Sequence, residues 1–408
     1  MKTLKQIFGG NLQQYTMVLA LVALIAAFQV ISGGRMITSS NFQNLISGNA
    51  YVLILAIGMV MVIVIGQIDL SVGSVAGFVG MSVALSVAKF GMAWQAALLL
   101  GLLAGVLVGA WHGFWLAKIG IPGFITTLAG MMIFRGLVLW MSGSISYAVP
   151  AEFRYLGSGY LPEWGPGATG VNNSTLLLGL AAIAWFTWTE LRRRKHAIDR
   201  GSEMPLIVPV IRIVAITAVI IFAVYLFGAG RPGTSFPVPG VILVALVIIY
   251  HVITQRTRFG RHIYAVGGNK AAAALSGVNT SRTYFLVMLN MSFLAAIAGI
   301  LFVGRATAAG PSDGTMWELD AIAAVFIGGA AVSGGIGTVV GSVVGGLVMA
   351  VLNNGLMLMG VGADQTQVIK GLVLLAAVAF DVHNKQQGKP SILGSLFKNR
   401  TKTEPAAK

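Results

Sequence analysis

Apolar residues run along this chain in long unbroken blocks, separated by joints where Gly, Ser, Pro, Asn and charged residues collect. Polar and apolar positions do not alternate within the blocks, which selects membrane helices over the strands of a barrel. Helices are predicted at about 15–32, 50–67, 71–88, 93–117, 124–142, 174–190, 206–228, 238–254, 285–303, 318–333, 336–358 and 366–383. Two of these, 50–67 and 318–333, end in glycine- and serine-rich joints. Both are short for a bilayer that takes roughly 20 residues per helix, so broken or partial spans are expected there. One joint differs from the others. Residues 257–278, TRFGRHIYAVGGNKAAAALSGV, are basic, then glycine-hinged, then alanine-rich, and the last part reads as a short helix in water.

Composition turns the membrane reading into a requirement. Of 408 residues 56% are hydrophobic and 10% charged, with a mean hydropathy of +0.85, whereas soluble domains carry about 25% charged residues. Backbone groups in lipid must bond within the protein. The predicted fold class is therefore an all-α integral membrane protein of about twelve transmembrane helices. The net charge of +15 would point to nucleic acid in a soluble chain; here it reports sidedness, and no nucleic-acid partner is expected. With Lys2 and Lys5 in the cytoplasm and alternation at every span, outer loops hold only Arg35, Lys89, Arg154, Arg231 and Arg305 of the 27 Lys and Arg residues. Inner loops and tails take most of the rest, including Arg192, Arg193, Arg194 and Lys195, which leaves both termini cytoplasmic. The basic start, MKTLKQIFGGNLQQYTM, lacks a small-residue cleavage site beyond its apolar stretch, so that stretch is expected to be a retained span.

Candidate chemistry is sparse. The absence of cysteine excludes disulfides and thiol catalysis, and five histidines without an H-x-x-x-H pair give no zinc signal. No G-x-x-x-x-G-K-[ST] or G-x-S-x-G occurs, so neither nucleotide binding nor an enzyme is indicated, and no cofactor is expected. Ionisable residues inside membrane segments are functional candidates. Asp69, in GQIDLSVGS, lines a transport path or couples an ion in one reading; in the other, Asp69 or Ser71 caps the next helix. Arg135 sits within a span and either snorkels or pairs, with Asp69 as one partner. Asn290, Asn353 and Asn354 either bind hydroxyls of a solute or join helices. The glycine cluster AVFIGGAAVSGGIGTVVGSVVGGLVM (324–349) allows close packing or a broken helix, and it faintly echoes IGQIDLSVGSVAGFVGM (65–81).

The basic joint falls on the cytoplasmic side, between the eighth and ninth predicted spans. Arg256, Arg258 and Arg261 offer a basic approach surface, and the chain has no energy source of its own. A docking element for a partner is one reading, a solvated loop carrying inner-side charge the other. The segment FGRHIYAVGGNKAAAALSGVNTSRTY resembles the cytoplasmic coupling loop of bacterial ABC sugar-import permeases of the ribose and xylose type. ITSSNFQNLISGNAYVLILAIGMVMVIVIGQIDLSVGSVAG, with the signature IDLSVGS, resembles the same family, and VIKGLVLLAAVAFDVHNK is similar to the end of its xylose or multiple-monosaccharide branch. The likeness runs from about 36 to 385.

The resemblance implies a multi-pass permease of the bacterial inner membrane. It would work as a homodimer with a second copy, in contact with membrane lipid, driven by a cytoplasmic ABC ATPase and fed by a periplasmic sugar-binding protein. It implies a coupling role for Arg258, Gly260, Arg261, Tyr264, Gly267, Gly268, Asn269, Ala272 and Ser276, and a translocation path at Asp69, Ser71 and Gly73, to which the reading of the helices themselves adds Asn290, Asn353 and Asn354 as candidates. The family core has ten helices, so about 165–235, around LRRRKHAIDRGSEMPL, reads as an inserted helical pair. The expected organisation is a permease domain over 1–385, containing that insertion and the coupling loop 256–284, followed by a basic cytoplasmic tail over 386–408. The expected cargo is a monosaccharide of the xylose, arabinose, galactose or glucose class. The rival reading is an ion-coupled secondary transporter, which needs carboxylates near mid-bilayer and gives the cytoplasmic loop no task.

Overall fold

The structure, a computed structural model, describes residues 12–167, 170–201 and 205–386. The tail assigned to 386–408 lies outside the described residues beyond Gln386. Every predicted apolar block forms a helix. In chain order these are α1 (Leu12–Ile31), α2 (Ser39–Val64), α3 (Val72–Ala88), α4 (Trp94–Phe114) and α5 (Gly123–Ser142), then a short α6 (Ala151–Ser158). They continue with α7 (Asn173–Asp199), α8 (Ile207–Gly228), α9 (Val238–Arg256), α10 (Arg258–Gly268), α11 (Lys270–Leu275) and α12 (Thr280–Ala306). The last three are α13 (Trp317–Ile327), α14 (Val339–Leu358) and α15 (Ala363–Gln386). Among the described residues eight helices are long and apolar enough to cross a membrane: α2, α4, α5, α7, α8, α9, α12 and α14. The only named strands there, β1 (Tyr147–Ala148) and β2 (Ala308–Ala309), pair antiparallel beyond the ends of α5 and α12.

Two expectations about length change. The block placed at 50–67 begins much earlier: Thr38 caps α2 by accepting from the Asn41 N–H, so the polar residues 39–49 belong to a helix of 26 residues. An apolar block marks the part of a helix that meets lipid or the protein core, and a cap marks where the helix starts. The block at 318–333 is the reverse case. Helix α13 stops at Ile327 after 11 residues, and Gly328 to Thr338 form an irregular joint before α14.

Burial separates the centre of the bundle from its rim. Helices α2 and α12 bury 78% and 67% of their most apolar stretch, α7 and α8 only 17% and 11%. The core runs along α2 from Leu53 to Ile65 and meets Met288, Met291 and Leu294 of α12. Helix α4 reaches α12 through Gly105, Gly109 and Gly113, whose missing side chains admit Ser292, Leu289 and Phe285. Helices α7 and α8 form a pair that packs together where Gly179 receives Val224. It is tied inward by Gln43, whose amide donates to the Phe227 carbonyl at 2.9 Å. At its other end Glu190, only 5% exposed, pairs with Arg212 at 3.6 Å and Arg193 at 3.1 Å.

Candidate functional site

Helix α2 ends because Gly66 adopts φ +75°, a conformation costly for any residue with a Cβ. The joint that follows, Ile65 to Ser71, is held against the start of α5. Gln67 Oε1 accepts from the Gly123 N–H at 3.0 Å, and the Leu70 N–H donates to Thr127 Oγ1 at 3.2 Å. This fixes Asp69 inside the protein at 0% exposure, with Ser71 equally buried. Asp69 Oδ1 accepts from the Ser71 N–H at 2.8 Å and the Ser71 hydroxyl at 2.6 Å. Ser71 occupies the position before α3 and makes no side-chain cap bond to it, so neither residue caps that helix by its side chain. The other carboxylate oxygen, Asp69 Oδ2, is buried without a hydrogen-bond partner among the described residues.

Polar groups that sequence reading did not single out gather around this joint. His112 of α4 is 0% exposed, and both its ring nitrogens lack partners among the described residues; Asp69 is its acidic neighbour. Ser74 Oγ of α3, Thr126 Oγ1 of α5 and Glu318 Oε2 of α13 are buried and without a partner among the described residues as well. Gly73 explains how α13 comes so near, since a Cβ there would stand 2.5 Å from Glu318 Oε2 and collide with the Gly314 carbonyl. Arg135 points elsewhere than to Asp69: its guanidinium donates to the carbonyls of Ser312 and Asp313, both at 3.4 Å.

The three asparagines of the expected path have other surroundings. Asn290 accepts from the Tyr250 hydroxyl and donates to Met61 Sδ at 3.8 Å, joining α9, α12 and α2. Asn354 exchanges two amide hydrogen bonds with Asn41, at 2.8 and 2.9 Å, tying α14 to α2. Asn353 is half-buried on α14 beside it. Asp69, Ser71 and Gly73 therefore stand together, while Asn290 and Asn354 are engaged between helices.

The basic joint folds into two helices where the sequence suggested one. Thr257 caps α10 by accepting from Gly260 N–H, and Asn269 caps α11 by accepting from Ala272 N–H at 2.9 Å. Gly260 lies against the Ile253 and Thr254 carbonyls at the end of α9. Gly260, Ile263, Val266 and Ala273 are buried, while Arg258, Arg261, Gly268, Asn269, Ala272 and Ser276 face solvent, and Leu275 is 91% exposed. Tyr264 turns inward and donates to the Gly337 carbonyl at 2.7 Å. Burial pushes its phenol above the ordinary tyrosine range, partly opposed by the Gln255 amide, so the donating neutral form persists through physiological pH.

All of this converges on one carbonyl. Val64 O, at the end of α2, accepts from the Gly335 N–H at 2.8 Å in the joint between α13 and α14. Gly267 at the end of α10 sits so close to the same oxygen that no Cβ fits. The two glycine-rich segments that echo one another in sequence are thus both helix breaks, and they touch beside the helix pair α10 and α11.

The chain matches the family described as branched-chain amino acid transport system, permease component, over residues 41–378. It is 35% identical over 378 residues to the xylose transport system permease protein XylH of Haemophilus influenzae, covering 92% of this chain and 98% of that one. Identity to XylH of Escherichia coli K12 is 38% over 379 residues, 92% and 93% of the two chains. Identity to the ribose import permease protein RbsC of Escherichia coli K12 is 33% over 377 residues, 92% and 95% of the two chains. No solved structure matches. With a match over most of its length and relatives of this identity, the chain belongs to that family of transport-system permease components.

Proposed function

We propose that this chain is the membrane-spanning permease of an ATP-driven importer, forming the path of a monosaccharide across the bacterial inner membrane. It is a transport subunit and not an enzyme; its relatives are named as xylose transport and ribose import permeases. The cargo is a monosaccharide of the xylose, arabinose, galactose or glucose class. ATP hydrolysis belongs to a cytoplasmic ABC ATPase, delivery to a periplasmic sugar-binding protein, and the working unit holds two copies of this chain in lipid. The twelve helices predicted from the apolar blocks are taken as twelve spans, with both termini cytoplasmic. Residues 1–385 are the permease domain, with the inserted pair at about 165–235 and the coupling loop at 256–284.

The observation that carries this reading is the contact of Gly267 and Gly335 with the carbonyl of Val64. Four residues separate Val64 from Asp69. A push on α10 and α11 from a closing ATPase has a short, packed route into the joint that carries the buried carboxylate. Arg258, Gly260, Arg261, Tyr264, Gly267, Gly268, Asn269, Ala272 and Ser276 form the coupling element, with the apolar face gripping the membrane part and the basic face turned to the partner. Asp69, Ser71 and Gly73 line the path.

The test is purification of the tagged chain from native membranes in mild detergent, followed by an ATP hydrolysis assay and identification of what co-purifies. An ATPase that accompanies the wild type and is lost on alteration of 257–278 is the expected result. A chain that comes down alone and still accumulates sugar on an ion gradient would overturn it in favour of a secondary transporter.

A further inference from the structure

We infer that Asp69, Ser74, His112 and Thr126 form a hydroxyl-binding subsite that contacts the sugar directly, an assignment that rests on the importer reading above. Their exposures are 0%, 1%, 0% and 4%, and each carries a polar atom without a partner among the described residues. Membrane interiors rarely leave such groups unpaired, because a desolvated, unsatisfied polar group is costly. Four of them, from the α2–α3 joint and from the mutually packed helices α3, α4 and α5, call for a common partner.

Helix geometry brings them together. Thr126, Gly130 and Phe134 recur at four-residue spacing on one face of α5, and Gly130 lies directly against His112 Nε2. Phe134 packs on His112 with ring centres 5.8 Å apart, and on Phe78 of α3 at 5.2 Å. Ser74 stands one turn before Phe78 on that same face of α3. Asp69 acts electrostatically on His112 from the joint between α2 and α3, with Glu318 beyond Gly73.

The inventory of loose ends decides the class of ligand. Asp69 Oδ2 accepts; the hydroxyls of Ser74 and Thr126 donate and accept; a neutral imidazole does one of each. An anion would meet the carboxylates of Asp69 and Glu318. Among the described residues no three His, Asp or Glu side chains gather as a metal would require. An apolar solute would leave every one of these groups unpaired. A neutral polyol fits, since each hydroxyl gives one hydrogen bond and takes two, and its C–H face can rest on Phe134 and Phe78.

The experiment is uptake of tritiated xylose and carbon-14 ribose from one mixture by cells carrying the intact transporter, with wild type, Thr126→Val and His112→Asn compared. The ratio of the two labels does not depend on how much permease inserts, and Thr126→Val keeps the side chain's shape. A site built to hydrogen-bond a hydroxyl discriminates strongly against a sugar that presents it differently. Each variant is expected to change the xylose-to-ribose ratio five-fold or more. Where the wild type imports only one of the two, the rate per inserted permease is read instead, with a loss of ten-fold or more expected. Unchanged ratio and rate in Thr126→Val, with an active wild type, overturn the subsite and leave the importer standing. A wild type that imports neither sugar, nor arabinose, galactose or glucose, overturns the importer reading and the subsite with it.

Discussion

Val64 closes α2 with a carbonyl that no later turn of its own helix can satisfy, and two distant glycines use it. Gly335 donates to it; Gly267 yields the space for the approach. The neighbouring Gly268 has no atom within 4 Å of where a Cβ would stand. The two glycines of AVGG therefore differ sharply. Gly267→Ala forces apart a backbone contact that no rotamer change relieves and is expected to cost about 1–3 kcal/mol and most of the transport, whereas Gly268→Ala leaves both near wild type. Thermal unfolding in detergent and sugar uptake check this, and equal behaviour of the two variants would remove Gly267 from the coupling route. The sequence shows a glycine pair between helices, but which one is tight depends on a carbonyl far away in the chain. Asp69 was legible for a simpler reason, a lone charge in an apolar run. His112 and Thr126 were not: a single histidine or threonine is ordinary in such helices, and only the packing of α4 on α5 shows that their polar atoms go unpaired.

At the scale of elements, the unusual feature is the half-length α13, which begins beside Gly73 and ends at the joint touching Val64. It is too short to span alone and is fixed from outside by Lys370 of α15, whose ammonium meets Asp320 at 2.6 Å with both side chains less than one-fifth exposed. Removing one member of such a pair strands the other charge in a poorly solvated place. Lys370→Met is expected to destabilise the protein by about 3 kcal/mol, and Lys370→Met with Asp320→Leu to recover much of that loss. Unfolding midpoints of the two singles and the double measure the coupling; additive losses would show that the pair does not hold α13. The length of α13 was half-legible. The glycine-rich stretch after 327 announces a break, yet apolar Ala330, Ala331 and Val332 continue the hydrophobic block beyond it; the two alanines are packed in protein, whereas Val332 is exposed. The asparagines illustrate the converse. Asn290 and Asn354 were conspicuous as polar residues in apolar helices, but hydropathy carries no sign of whether the partner is a solute or, as in their bonds to Tyr250 and Asn41, another helix.

Over the whole molecule, α10 and α11 carry the basic surface that, on the proposed topology, a cytoplasmic partner would meet. Arg256, Arg258, Arg261 and Lys270 are exposed on α9, α10 and α11, and Leu275 at the end of α11 is 91% exposed. A basic rim and an apolar tip make separable contributions to binding: the rim acts through long-range attraction that salt screens over about 8 Å at physiological strength, the tip through burial that salt does not weaken. Reversal of the rim by Arg258→Glu with Arg261→Glu is therefore expected to reduce the co-purifying ATPase several-fold at low ionic strength, with the gap from wild type closing as salt approaches about 0.5 M. Leu275→Asp should reduce recovery at every salt concentration. Quantitative recovery of the ATPase across a salt series distinguishes the two. Recovery of the charge-reversed pair that equals wild type at low salt would mean that these arginines only mark the inner face of the membrane and that the partner, if it docks here, reads the apolar tip alone.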